Sequence, residues 1–118
     1  MIKLRNLRSD FQFKKLLSQK KIHTDYFSIY FGKNLPKKEN NSLNISFIMK
    51  KKIGNAVVRN KIKRRLKSAV QNKLKNKDII DTNLSYIVFG KPKAFKEKYS
   101  IISSELDKTF FKIKQIKN

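Results

Sequence analysis

Lys52-Ile-Gly-Asn-Ala-Val-Val-Arg-Asn-Lys-Ile-Lys-Arg-Arg-Leu-Lys67 is the stretch on which the reading of this chain turns. It lies inside a longer run, Lys50 to Lys77, that holds twelve Lys or Arg and no Asp or Glu. Gly54 and Asn55 break the chain ahead of a helix expected from about Ala56 to Lys75. Val58, Ile62, Leu66, Ala69 and Val70 recur at helical spacing and form its buried stripe. Asn60, Arg64, Lys67 and Gln71 fall on the opposite face, with Arg59 and Lys63 along one border. Unbroken like charge costs stability at each i,i+4 pair, so a polyanion is the expected neighbour of that face. The use of arginine sharpens this. The chain has 25 Lys and 5 Arg, yet Arg59, Arg64 and Arg65 fall within seven residues. Arg is the better residue where phosphate is gripped by a planar, bidentate fork. The alternative is a helix that is basic only for solubility.

The flanking segments read as a small mixed fold. Ser9 can cap a helix from Asp10 to about Gln19, with Asp10 at its positive end. Phe13, Leu16 and Leu17 share one face of it, while Phe11 points nearly opposite. The plain reading of Phe11 is a frayed first turn whose ring packs on a neighbouring strand. Tyr26 to Phe31 alternates as a strand, with Phe27, Ile29 and Phe31 on one face and Ser28 and Tyr30 on the other. Lys20 to His23 adds a short strand before it. Lys33 to Ser42 is a polar connection, and Leu43 to Met49 is a second strand, expected to run antiparallel to the first. Lys75 to Asn83 is a loop, and Ser85 to Gly90 is a strand buried on both faces. A final helix from about Lys96 carries Ile102, Leu106, Phe110 and Ile113 as its apolar stripe.

Composition limits the function. At 118 residues one domain is expected, and a net charge of +22 repels itself unless phosphate relieves it. No apolar run approaches the ~20 residues of a membrane span, and the Met-Ile-Lys-Leu-Arg start has no signal core. The absence of Cys excludes disulfides and thiolate metal sites. A cytoplasmic protein without a membrane partner is the simplest fit. A protein-only active site is not expected: His23 is the sole His, and the acids are scattered. Asp78 and Asp81 flank Ile79-Ile80 in a loop and have the chemistry to bind a metal, but solvated loop acids are far commoner. RNA suits the chain better than DNA, because a basic helix accompanies aromatic residues on a sheet and no helix-turn-helix is evident. Tyr30 is the best stacking candidate on the strands; the alternative is a half-buried, hydroxyl-bonded Tyr.

Lys52-x-Gly54-x-Ala56-Val57-x-Arg59-Asn60-x-x-Lys63-Arg64 resembles the signature of the bacterial ribonuclease P protein component. Leu4, Leu7, Ser9 to Phe13, the Tyr26 to Phe31 strand and Tyr86-Ile-Val-Phe-Gly-Lys-Pro92 extend the resemblance over most of the chain. It implies an α+β sandwich over residues 1–118, ordered α-β-β-β-α-β-α. The sheet would be four-stranded, with a left-handed crossover around the basic helix. The sequence leaves open whether residues 1–8 are ordered or flexible before RNA binds. The resemblance also implies a partner to ribonuclease P RNA that holds the 5′ leader of precursor tRNA between the first helix and the sheet. The catalysis and its Mg2+ would reside in the RNA, with no cofactor on the protein. On this chain Arg59, Asn60, Lys63, Arg64 and Lys67 would contact the RNA, supplemented by Lys51, Lys52, Lys61 and Arg65. Phe11 and Tyr30 would line the leader cleft.

Three departures from the family pattern bear on these assignments. Lys67 stands where Arg is usual, and Gln19-Lys20 replaces a helix-ending glycine. Lys15 takes the place, one turn after Phe11, where a second aromatic often lies. If the register shifts, Phe13 paired with Leu17 is the cleft residue instead. A ribosomal protein of related fold would share the charge and the sheet but does not require the Gly54 to Arg64 signature. A DNA-compacting or membrane-active cationic protein would bind any polyanion alike and needs no cleft.

Overall fold

The computed structural model describes residues 2–7, 9–33, 42–75 and 79–117. Its strands are β1 (Lys3–Arg5), β2 (Lys20–His23), β3 (Phe27–Lys33), β4 (Ser42–Ile48) and β5 (Leu84–Gly90). Its helices are α1 (Asp10–Leu17), α2 (Ala56–Lys73) and α3 (Tyr99–Lys117), giving the order β-α-β-β-β-α-β-α. This is an α+β fold built on one sheet, with strands in the order β1-β4-β5-β3-β2. β5 is central, antiparallel to β3 through Ile29↔Val88 and parallel to β4 through Phe47↔Val88.

Burial on both faces explains the unbroken apolar character of β5. Tyr86 and Val88 point into the main core, where Ile62, Leu66 and Val70 of α2 meet Ile102, Leu106 and Phe110 of α3. Complete burial of each such side chain contributes roughly 1.5–3 kcal/mol, so this layer dominates stability. Ile87 points the other way and is equally buried. The alternation expected of β3 holds, with Phe27, Ile29 and Phe31 in the main core. Gly90 lets α2 close on β5: a Cβ there would lie 2.7 Å from Ile62 Cγ2 and would also strike the Met49 sulfur.

The sheet differs from expectation in its strand count. Among the described residues it has five strands rather than four, because Lys3–Arg5 pairs parallel to β4 through Leu4↔Leu43. β4 runs antiparallel to β3, as expected, with β5 lying between them. The final helix begins at Tyr99 rather than near Lys96. A single 3-10 turn (Pro92–Ala94) precedes it, and the carbonyls of Ala94, Phe95 and Glu97 accept from Arg65 instead of from a following helical turn. Much of the Lys33 to Ser42 connection, and Asp78 in the later loop, lie outside the described residues.

Candidate nucleic-acid interface

The Asn55 side chain accepts from the Val58 amide at 3.0 Å and starts α2 where Gly54 and Asn55 break the chain. Gly54 sits close under Val58, where an added Cβ would find Val58 Cβ at 3.1 Å. The Gly54 carbonyl accepts from Arg59 Nε at 3.2 Å, a bond that does not involve the two terminal nitrogens of the guanidinium. Asn60, Lys63, Arg64 and Lys67 are exposed, while Ile62, Leu66, Ala69 and Val70 are buried. The helix therefore has the core side and the cationic side that its sequence prescribes. Lys61 is exposed too, with Nζ 4.5 Å from the centre of the Phe95 ring.

Arg65 stands apart from this set. Its Nη1 donates to the carbonyls of Ala94 at 2.7 Å and Phe95 at 2.8 Å, and Nη2 donates to that of Glu97. The fork that would grip phosphate instead fastens α2 to the segment between β5 and α3. Lys73 is likewise structural, buried between Asp107 at 2.9 Å and Ser103 at 2.7 Å.

A groove of about 650 Å³ runs between α1 and the sheet, beside the Lys51–Ile53 turn that leads into α2. Phe13 and Leu17 of α1 line one wall, Tyr30 and Phe89 the floor, and Lys50, Lys52 and Lys91 the rim. The Tyr30 and Phe89 rings meet edge to face, with centroids 5.5 Å apart. Lys21 Nζ lies 5.8 Å from the Tyr30 ring centre and Lys50 Nζ 5.4 Å from that of Phe89. His23 also lines the groove, and its Nδ1 shares a hydrogen bond with Ser28 Oγ. Aromatic faces among lysines can stack bases and neutralise phosphates together. Among the described residues no three of His, Asp and Glu come close enough to hold a metal.

Of the residues expected to line one cleft, Tyr30 and Phe13 come together and Phe11 and Lys15 do not. Phe11 lies on the other side of α1, with the Lys15 ammonium 5.9 Å from its ring centre. Leu16, between the two sides, is the buried residue of the helix. The shifted register, Phe13 with Leu17, is thus the arrangement that faces Tyr30. Lys52 reaches the groove, whereas exposed Lys51 does not line it. Sequence reasoning missed Phe89 and Lys91. The apolar run of β5 hid which of its side chains faces α1, and Lys91 reads only as part of a turn.

In this small α+β protein a cationic helix face lies beside an aromatic, lysine-rimmed groove. A family model described as Ribonuclease P matches residues 1–114. The ribonuclease P protein component of Mycoplasma mycoides subsp. mycoides is 30% identical over 111 residues, covering 93% of this chain and 96% of that one. That of Rickettsia canadensis is 35% identical over 99 residues, covering 79% and 82%. The RNase P protein of Staphylococcus aureus has the same fold, with a TM-score of 0.70 at 24% identity over 96% of this chain and 97% of that one. The Thermotoga maritima protein also gives a TM-score of 0.70, at 22% identity, over 90% and 94%. The chain belongs to the ribonuclease P protein family. Among its described residues no helix is long and apolar enough to cross a membrane.

Proposed function

We propose that this chain is the RNA-binding protein subunit of a bacterial ribonuclease P, acting in the cytoplasm on precursor tRNA. The cationic face of α2, with Arg59, Asn60, Lys63, Arg64 and Lys67, docks on the catalytic RNA. Lys51, Lys52 and Lys61 supplement it from the helix start and its flank. The groove of Phe13, Tyr30 and Phe89 holds leader nucleotides, with Lys50, Lys52 and Lys91 against their phosphates. Chemistry stays with the RNA, whose Mg2+ supplies the Lewis acid when bound. The protein positions the substrate and offsets repulsion between two RNA molecules.

The observation that carries this reading is the junction of the two surfaces. The Lys51–Ile53 turn borders the groove and leads directly into α2, so one RNA can sit on the helix while a second threads the groove. The test is the affinity of the reconstituted complex for leader-bearing and leaderless tRNA. Tyr30→Ala should weaken only the first, and Arg64→Ala should weaken assembly with the RNA subunit. Equal effects of both variants on every RNA would leave a general polyanion binder in its place.

A further inference from the structure

α3 is apolar on more than its core side. Ile102, Leu106, Phe110 and Ile113 are buried, whereas the ring of Phe111 is 61% exposed and has no part in that core. A groove of about 620 Å³ opens beside it. Phe111 and half-buried Ile79 give the groove an apolar lining, and Lys108, Lys112 and Lys114 stand around it. Asp107 is the one acid among the described lining residues, and Lys73 already pairs with it at 2.9 Å. The surface around the ring is therefore cationic. Its position follows from how the two long helices lie side by side. Arg65 of α2 meets the segment ahead of α3, Asn72 donates to the Tyr99 hydroxyl, and Lys73 reaches Ser103 and Asp107. The helices thus run the same way, and Phe111 stands one turn past Asp107, just beyond the end of α2 at Lys73. At the usual helical rise it is roughly 20 Å along the pair from Arg64, so a polyanion lying on exposed Arg64 and Lys67 has only that length to cross.

Charge decides the occupant. A second copy of a +22 chain is repelled from this patch, and an RNA docked on α2 is drawn to it. Paired bases offer the ring no open face, whereas unpaired bases stack on aromatic side chains. We infer that Phe111 is a second anchor for the RNA subunit, on which one of its unpaired bases stacks while the adjacent phosphates lie against Lys108, Lys112 and Lys114. This rests on the reading of α2 as the face that docks on that RNA. The site shares no lining residue with the Tyr30 groove, so it serves assembly rather than the hold on the leader.

The experiment measures the affinity of the full chain for a bacterial ribonuclease P RNA. The proteins compared are the natural chain, Phe111→Ala, Phe111→Trp and Arg64→Ala. Phe111→Ala should weaken binding by about five- to 150-fold, the range of one stacked base. Its thermal unfolding midpoint should not move, because the ring is exposed. Phe111→Trp should keep the affinity and, as the chain has no Trp of its own, its emission should be quenched by the RNA. In the assembled complex, Phe111→Ala should leave the preference for leader-bearing over leaderless tRNA as it is in the natural chain. The inference is overturned if Arg64→Ala weakens RNA binding and Phe111→Ala does not, or if saturating RNA leaves the Phe111→Trp emission unchanged. It is equally overturned if Phe111→Ala acts only on pairing of two copies in sedimentation, or only on binding of polyglutamate as an acidic peptide. Full RNA affinity in both alanine variants would refute the reading of α2 as the docking face, and the inference with it.

Discussion

Replacing Arg65 separates fold from RNA contact within a single cluster of arginines. Its guanidinium is half-buried and donates to the carbonyls of Ala94, Phe95 and Glu97, so truncation leaves three acceptors without their donor. A hydrogen bond to a charged group contributes about 1.5–3 kcal/mol. Water can reach part of this site, and the three bonds share one side chain, so they do not add in full. Arg65→Ala is therefore expected to cost about 2–4 kcal/mol, lowering the unfolding midpoint by roughly 8–20 °C for a chain of this size. Arg65→Lys should recover little, because one ammonium on a flexible stem cannot span three carbonyls. Arg64→Ala, one residue earlier and exposed, should leave the midpoint within about 2 °C while weakening binding to the RNA subunit. The assay is thermal unfolding of the free protein by circular dichroism, paired with RNA affinity at a temperature where every variant is folded. An Arg65→Ala protein as stable as the natural chain but at least tenfold weaker for RNA would refute the reasoning.

Other consequences are as direct. Affinity for precursor tRNA should fall on the order of ten- to a thousandfold for a fourfold rise in salt if several phosphates are neutralised; a flat titration would remove the electrostatic basis of the account. Tyr30→Ala should weaken leader-dependent binding by about 1–3 kcal/mol, and Tyr30→Phe should not, with leaderless tRNA as the control for both. Gly90→Ala should destabilise the fold by about 1–3 kcal/mol, since its methyl would press on Ile62 and Met49; an unchanged urea midpoint would show that α2 can shift away from β5 without cost.

What the sequence discloses here is local, and what it hides depends on distant partners. The α2 stripe and the alternation of β3 follow from spacing, and each is realised. A three-residue strand with the sequence Lys-Leu-Arg carries no periodic signal; only its pairing with Ser42, Leu43 and Asn44 across the ladder reveals it. Arg65 has the same composition around it as Arg64, yet its partners lie about 30 residues onward. Phe89 could not be assigned to a face from an apolar run that is buried on both. The choice between Phe11 and Phe13 depends on how α1 rolls on the sheet. Leu16 fixes that roll by burying against the sheet, sending Phe13 and Leu17 to the Tyr30 side and Phe11 to the other. The family resemblance implied a cleft, and the geometry shows that Phe13, not Phe11, shares a groove with Tyr30.

The central claim is that this protein positions RNA for a reaction that RNA performs. Its most direct test is cleavage of a leader-bearing precursor tRNA by a bacterial ribonuclease P RNA at low magnesium, with and without the protein. The account predicts that the protein restores cleavage only when the RNA subunit is present, and that Arg59→Ala with Arg64→Ala diminishes the effect. Cleavage by the protein alone, or no stimulation despite tight binding to RNA, would contradict it.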